Sequence, residues 1–173
     1  MQVKVVLLEG GIVPRKAHYN DAGFELFSAE QITLYPQQTV KIKTGVCLEI
    51  PDGYCGVIHD RSSMGSKSLK VMGGVIDSTY RGEIIVCLYN GGLETEIKSG
   101  DKIAQLLVLP VPDVTITEVD SLSETRRGTK GFGSTDQTKH ENLGPGLTFD
   151  DARSWGSWYK EAEQNKLDNP CTP

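Results

Sequence analysis

The chain has 173 residues, of which 38% are hydrophobic and 24% charged, and its formal net charge is −5. This length suits one globular domain with a modest tail, and the acidic balance argues against broad nonspecific nucleic-acid binding, although a local basic patch could still bind phosphate. No apolar run approaches the length of about 18 residues that a membrane helix needs, and the amino terminus becomes charged too soon for a signal peptide. We therefore expect an intracellular, cytoplasmic protein without membrane or nucleic-acid partners, with the nucleus or a virus-infected cell left open.

Short apolar runs separated by turn signals predict an all-β domain. Pro36, the Pro51-Asp52-Gly53 turn and the Asn90-Gly91-Gly92 turn are among the residues that separate the runs. Many short strands at this spacing are typical of a sandwich, a jelly roll or a distorted barrel. The predicted strands cover residues 3–8, 25–29, 31–34, 39–48, 56–59, 70–72, 83–89, 94–97, 102–109 and 114–118.

The cysteines indicate a reducing compartment. They form no CxxC pair, and three of the four fall in strand-like runs, so we predict buried free thiols rather than disulfides or metal ligands. They are Cys47, Cys55, Cys87 and Cys171.

Two polar blocks stand in the first half of the chain. Residues 21–26 read Asp-Ala-Gly-Phe-Glu-Leu and precede the first clear strand region, and residues 61–67 form a small-residue turn with cations. Arg61, followed by Ser62 and Ser63, can offer phosphate oxygens a guanidinium group, hydroxyls and turn N–H groups. A solvated loop with a surface arginine explains the same residues. The chain has no GxxxxGK[ST] loop, which argues against a P-loop phosphate site.

The stretch 73–83 places the carboxylate of Asp77 and the ring of Tyr80 three residues apart in a β-hairpin signature. Apolar residues before and after a polar turn predict the two strands of the hairpin. Glycines near both ends allow positive φ or a close backbone approach. The free backbone groups of this hairpin could bind a small planar ligand, and an ordinary tight hairpin is the alternative.

Two later blocks complete the pattern. Residues 100–106 include Gln105 and lead into a strongly apolar strand, and residues 127–135 form a glycine-rich arm with a cation, an aromatic ring and two hydroxyls. Residues 120–136 together predict a mobile arm that closes over a ligand, with a simple linker as the alternative.

In their order and spacing, these five blocks resemble the five motifs of the homotrimeric dUTP pyrophosphatase (dUTPase) family, from about Val3 to Thr135. The resemblance implies a distorted jelly-roll or β-clip barrel at residues 1–119 with the arm at residues 120–136. It also implies a hydrolase of nucleotide metabolism, a dUTP diphosphatase that converts dUTP to dUMP and pyrophosphate. Such an enzyme limits uracil incorporation into DNA and supplies dUMP for dTMP synthesis. The resemblance further implies a homotrimer with active sites shared between subunits.

The family's motifs imply a role for each matching residue. Asp77 is the general base that assists water attack on the α-phosphorus. Tyr80 packs under the deoxyribose, and the hairpin backbone pairs with uracil while excluding cytosine and the thymine methyl group. The residues implied to bind substrate are Arg61, Ser62, Ser63, Gly74, Val75, Ile76, Tyr80, Ile85, Gln105, Arg127, Phe132, Gly133, Ser134 and Thr135.

Mg²⁺ is the cofactor that the resemblance implies, because it would neutralise the phosphates and favour the leaving group. The family usually has an aspartate where this chain has Glu25, whose carboxylate would hold waters on the metal. Two further departures are Thr79, where an acidic residue is frequent, and Asp136, where a glycine is usual. Asp136 near a triphosphate would be mildly repulsive unless it points away or assists a metal.

The tail at residues 137–173 continues beyond the fifth motif. A capping-box pattern and an apolar stripe predict a short helix at about residues 149–165. This helix either docks on its own trimer or recognises a protein partner.

Two other functions compete with dUTP hydrolysis. One is a regulatory, nucleotide-gated binding protein on the same fold. The other is a dCTP deaminase, which shares the fold family, although the glycine-rich arm and the Val-Ile-Asp-x-x-Tyr pattern follow the diphosphatases.

Overall fold

The computed structural model describes residues 1–131. The chain divides into two units after Ile116, and all the regular elements of the described residues lie in the first unit. These elements are β1 (Lys4–Leu7), β2 (Phe24–Phe27), β3 (Ile32–Leu34), β4 (Thr39–Glu49), β5 (Tyr54–His59), α1 (Ser62–Gly65), β6 (Leu69–Val71), β7 (Val75–Ile76), β8 (Glu83–Asn90), β9 (Thr95–Ile97) and β10 (Lys102–Pro110).

The strands form three antiparallel sheets. The first has the order β1-β4-β8-β6, the second has the order β2-β10-β5-β7, and the third pairs β3 with β9. The non-consecutive neighbours mean that the chain crosses repeatedly between the sheets, as it does in a jelly roll. The predicted all-β jelly-roll fold is therefore confirmed.

The core lies between the inner faces of the two larger sheets. Burial alternates strictly along β8, where Ile84, Val86 and Leu88 are buried and the residues between them are half-buried. From the second sheet, Leu26 and Leu106 are equally buried. Each such side chain contributes about 1.5–3 kcal/mol through its removal from water, which fixes the register of every strand relative to the core.

The hairpin predicted at residues 73–83 is wrong in its pairing. β7 pairs with β5 in the second sheet, whereas β8 pairs with β4 and β6 in the first. Because β8 is a central strand with both edges occupied, β7 cannot pair with it, and the turn at residues 77–82 crosses between the sheets. β7 is consequently an edge strand of the second sheet.

The strand predicted at residues 114–118 is also wrong. No described strand lies beside this segment, and Val114 and Ile116 are 70% and 94% exposed. A strand needs a hydrogen-bonded neighbour, and apolar alternation alone does not supply one.

The described cysteines lie in β4, β5 and β8 as free thiols, but they are half-buried rather than buried. Cys47 and Cys87 fall between the inward-facing positions of their strands, on the outer face of the first sheet. Cys171 lies outside the described residues. Within residues 1–131, no helix has the length and apolarity needed to cross a membrane.

Candidate functional site

The polar block after β5 forms the short helix α1. The carbonyl of Arg61 accepts hydrogen bonds from the N–H groups of Met64 and Gly65, both at 2.9 Å, and Met64 is buried in the core. This anchor leaves Ser62 and Ser63 exposed at the beginning of the helix. The loop therefore presents two hydroxyls next to a guanidinium group, an arrangement that suits the binding of phosphate oxygens.

Arg61 is held by a carboxylate from β2. Its Nε lies 2.7 Å from Glu25 Oε2, and its Nη2 donates to Glu25 Oε1 at 3.3 Å. Lys102 Nζ lies 3.7 Å from the same Oε1 atom, and the Glu25 side chain is only 15% exposed. Two cations thus surround one largely buried carboxylate. Arg61, Lys102 and Glu25 together carry a net positive charge, which favours an anionic ligand.

Gln105 joins this cluster from the centre of the second sheet. On β10 it is opposite Glu25 on one side and His59 on the other, and its Nε2 donates to the carbonyl of Asp60 at 2.8 Å. Gly23 provides the space for its side chain, since a Cβ there would come within 2.5 Å of Gln105 Oε1. Glu25, Arg61 and Gln105 are therefore brought together at one end of the sheet.

Asp60 belongs to this cluster, although the sequence pattern did not single it out. Its Oδ1 accepts the N–H of Val71 at 2.5 Å, and its Oδ2 accepts Lys70 Nζ at 2.6 Å. Partial burial by itself would raise the pKa of the Asp60 carboxyl, but the hydrogen bonds from Lys70 and Val71 outweigh it and hold the pKa below its usual value. The only sequence signal was a pair of opposite charges ten residues apart.

Asp77 occupies a different place, beyond the end of β7. Its side chain is exposed, and its carbonyl accepts the N–H of Tyr80 at 3.1 Å, which closes the turn. A cavity of about 460 Å³ opens beside it and is also lined by Thr79, Tyr54 and Cys55. The carboxylate is thus accessible to water, as a general base must be.

Tyr80 stands over Gly82. Its hydroxyl donates to the carbonyl of Glu83 at 3.0 Å, and a Cβ at position 82 would come within 2.4 Å of that hydroxyl oxygen. The ring remains partly exposed. The turn therefore holds an aromatic face in a fixed direction without burying it.

Two glycines with positive φ precede β7, Gly73 at φ +82° and Gly74 at φ +120°. Gly74 accepts the N–H of Ile58 at 2.8 Å, and Val75 and Ile76 then pair with β5. Only one edge of β7 is used among the described strands, so its other edge offers free backbone donors and acceptors. Ile85 is half-buried and lies on β8, in the other sheet.

Within one chain, Asp77 lies far from the cluster that contains Arg61 and Gln105. Asp77 shares its cavity with Tyr54 and Cys55 at the beginning of β5, whereas Arg61 follows the end of that strand. Within β5, the four steps from Cys55 to His59 rise about 13 Å, and Arg61 lies two residues further along the chain. No hydrogen bond or ion pair among residues 1–131 joins the two groups. The cluster and the turn are therefore two separate candidate half-sites within a single chain.

In the second unit, residues 117–131 are exposed and contain one tight turn. Arg127 Nε donates to the carbonyl of Lys130 at 3.2 Å, and Gly128, at φ +55°, donates to the carbonyl of Thr125 at 3.0 Å. The remaining predicted residues lie outside the described residues: Phe132, Gly133, Ser134, Thr135, Asp136 and the helix predicted at residues 149–165.

Within residues 1–131, no group of three or more histidine, cysteine or acidic side chains could hold a metal ion. The two carboxylates of the cluster are already engaged: both oxygens of Glu25 face cations, and those of Asp60 accept from Val71 and Lys70. Mg²⁺ commonly binds through one or two carboxylates together with substrate phosphates and waters. The donor set therefore fits a metal that arrives with a polyphosphate, not one held by the protein alone.

Comparisons with known proteins agree on one family. The dUTPase family model matches residues 9–136. A deoxyuridine 5′-triphosphate nucleotidohydrolase of Tropheryma whipplei (strain Twist) is 41% identical over 144 residues, covering 80% of this chain and 97% of that protein. One from Corynebacterium diphtheriae is 45% identical over 128 residues, covering 71% and 84%.

Solved structures show the same similarity. A mutant dUTPase of Staphylococcus bacteriophage 80alpha with dUpNHpp has a TM-score of 0.73 and 30% identity, covering 77% of this chain and 97% of that one. A mutant dUTPase from phage phi11 of S. aureus, described for its coordination of a structural Mg(II) ion, has a TM-score of 0.67 and 29% identity, covering 72% and 100%.

Proposed function

Because this chain belongs to the dUTPase family and is a dUTP diphosphatase, we propose that it releases pyrophosphate from dUTP by Asp77-assisted attack of water on the α-phosphorus. The carboxylate of Asp77 orients the water and accepts its proton, and Arg61 with its neighbours offsets the charge that develops on the phosphates. The product dUMP supplies dTMP synthesis, and removal of dUTP limits uracil incorporation into DNA.

The observation that carries this proposal is the separation of Asp77 from Arg61 by the length of β5. A base that lies near the beginning of β5, about 13 Å or more from the phosphate-binding groups that follow its end, is too far away to act on the phosphates that those groups bind in the same chain. We therefore propose a homotrimer in which Asp77 of one subunit meets Arg61 and Gln105 of the next. A cyclic trimer repeats this contact three times and creates three equal sites.

The turn that carries Asp77 also supports recognition of a 2′-deoxyuridine. The free edge of β7 offers N–H and C=O groups in a row, which matches the alternating acceptors and donor of a uracil edge. Gly74 adopts a conformation that a side chain would rarely permit, so the backbone can approach the base closely. Tyr80, fixed over Gly82, supplies the face against which the deoxyribose packs, where a ribose 2′-hydroxyl would clash.

The phosphates are proposed to bind at the other half-site. Ser62 and Ser63 are exposed beside Arg61, and Gln105 is fixed by its bond to the Asp60 carbonyl. Arg127, from the arm, adds a further cation, and Phe132 with residues 133–135 closes the site by stacking on the base and holding the terminal phosphates. A closed arm would exclude water other than the attacking molecule.

Mg²⁺ is proposed to enter with the triphosphate. Bound to the phosphates, it supplies charge neutralisation for the leaving pyrophosphate. Glu25 would contact it through water only, because its carboxylate already faces Arg61 and Lys102. The tail at residues 137–173 is proposed to dock on the trimer or on a protein partner.

Pyrophosphate release from dUTP, dCTP, dTTP and UTP with Mg²⁺ tests the reaction. We expect turnover of dUTP alone, and loss of it in Asp77→Asn, which removes the base but keeps the size of the side chain. Asp52→Asn is the matched control, because Asp52 is an exposed carboxylate in the turn before β5. Equal turnover by Asp77→Asn and wild type would contradict the assignment of the base.

A further inference from the structure

Residues 60–71 form a loop whose two ends are joined by one side chain. The Asp60 carboxylate accepts the N–H of Val71 at 2.5 Å and Lys70 Nζ at 2.6 Å, so the residue before Arg61 is tied to the strand that ends the loop. Between these ends lie Arg61, Ser62 and the rest of α1. The carboxylate therefore closes the loop that carries the exposed hydroxyls.

Asp60 also holds the side chain of Gln105, which lies on the neighbouring strand β10. The backbone carbonyl of Asp60 accepts a hydrogen bond from Gln105 Nε2 at 2.8 Å. This bond determines the direction of the Gln105 amide. The absence of a side chain at Gly23 leaves the space that Gln105 Oε1 needs in this direction. Asp60 thus contacts the loop end through its side chain and the cluster through its main chain.

We propose that Asp60 is a positioning residue of the triphosphate subsite, which holds Arg61, Ser62 and Gln105 in the arrangement that binds phosphates. This inference rests on the proposed function. Asp60 does not need to touch the substrate: its oxygens are used by Val71, Lys70 and Gln105. Loss of the contacts of the Asp60 carboxylate would allow the phosphate-binding groups to adopt several arrangements. Their combined contact with a triphosphate would then be weaker.

We expect the bond to Val71 to hold the loop more firmly than the ion pair with Lys70 does. Both contacts are charge-assisted hydrogen bonds, but Lys70 is 66% exposed on a long flexible side chain, whereas the N–H of Val71 belongs to the backbone of β6. Variants can separate the two contacts. Asp60→Ala removes both, Asp60→Asn keeps an oxygen for Val71, and Lys70→Met removes only the ion pair.

The experiment measures kcat and KM for dUTP together with the dissociation constants of dUpNHpp and dUMP, on the full chain. For Asp60→Ala we expect KM to rise more than kcat falls, and dUpNHpp affinity to drop about tenfold or more relative to dUMP affinity. In Asp60→Asn, the ratio of dUpNHpp affinity to dUMP affinity should return most of the way to the wild-type value. In Lys70→Met, this ratio should stay within about threefold of wild type. Asp60→Glu, which keeps the charge but displaces both oxygens, is the second variant and should shift the ratio in the same direction as alanine.

A purely structural role would lower the melting temperature and weaken both nucleotides equally. An unchanged ratio of dUpNHpp to dUMP affinity in Asp60→Ala and Asp60→Glu overturns the inference. If wild type releases no pyrophosphate from dUTP, the proposed function fails instead, so the two failures are distinguishable.

Discussion

Gly23 and Gln105 lie so close that a Cβ added at position 23 would come within 2.5 Å of Gln105 Oε1 and 3.0 Å of its Cβ. The glycine of the first polar block therefore leaves room for the glutamine of the fourth, which follows it by 82 residues in the chain. Because Gln105 is bonded to the carbonyl of Asp60, displacement of its amide also disturbs the residue before Arg61.

Gly23→Ala should raise the KM for dUTP through this displacement, by about tenfold to a hundredfold, because a shift of roughly 1 Å in a positioning group can cost up to about a hundredfold. Steady-state kinetics of the single variants and of the double variant with Gln105→Ala measure it. If Gly23 acts through Gln105, the double variant should resemble Gln105→Ala. Additive losses in the double variant would contradict the relationship.

Gly82→Ala should reduce the preference for dUTP over UTP by roughly tenfold or more. The added methyl group would meet the Tyr80 hydroxyl and ring, which would have to move off the turn. Competition kinetics with the two nucleotides measure the preference. Tyr80→Phe is the comparison, since it keeps the ring and removes only the bond to the Glu83 carbonyl, and its effect should be smaller. An unchanged preference in Gly82→Ala would contradict the role of the ring.

Glu25→Gln should lower both stability and activity. It leaves Arg61 and Lys102 facing each other without a carboxylate, and loss of the charge-assisted contact should cost about 1–3 kcal/mol of unfolding free energy. Denaturant unfolding and kcat/KM measure the two effects. Glu49→Gln is the matched control, because its pair with Lys4 is exposed and its loss should leave both values nearly unchanged. Equal effects of the two variants would contradict the importance of burial.

Asp60 should make stability depend on acidic pH. Its pKa is lowered in the folded protein, so its contribution is complete above the ordinary aspartate pKa of about 4 and is lost as the pH falls through the folded value. The stability advantage of wild type over Asp60→Asn should therefore be constant near neutral pH and shrink below about pH 4. Thermal unfolding from pH 7 to pH 3, at one protein concentration, measures the difference. A constant advantage throughout would contradict the assignment.

Much of the fold could be predicted because buried faces determine register. The alternation along β8 and the apolar run of β10 predict these two strands, and both occur close to their predicted bounds. Pairing was harder, since the same alternation describes a strand beside its chain neighbour and one in another sheet. The alternation therefore predicts a hairpin for β7, which pairs with β5 instead, and a strand for residues 114–118, which have no partner among the described strands.

The candidate site shows a similar division. Arg61, Gln105 and Glu25 could be selected by their motifs, and the structure brings them together. Asp60 could not be selected, because its role depends on the position of Val71 after the loop folds back. The separation of Asp77 from Arg61 also depends on sheet order, which no local pattern contains.

The most direct test of the central claim, that each site combines Asp77 of one subunit with Arg61 of another, is complementation in mixed trimers. Asp77→Asn and Arg61→Ala, each nearly inactive alone, are co-expressed in equal amounts and assayed for pyrophosphate release from dUTP. Random assembly makes about three quarters of the trimers mixed, each with one intact site of three, so we predict about one quarter of wild-type activity. Activity equal to the mean of the two separate variants would contradict a shared site.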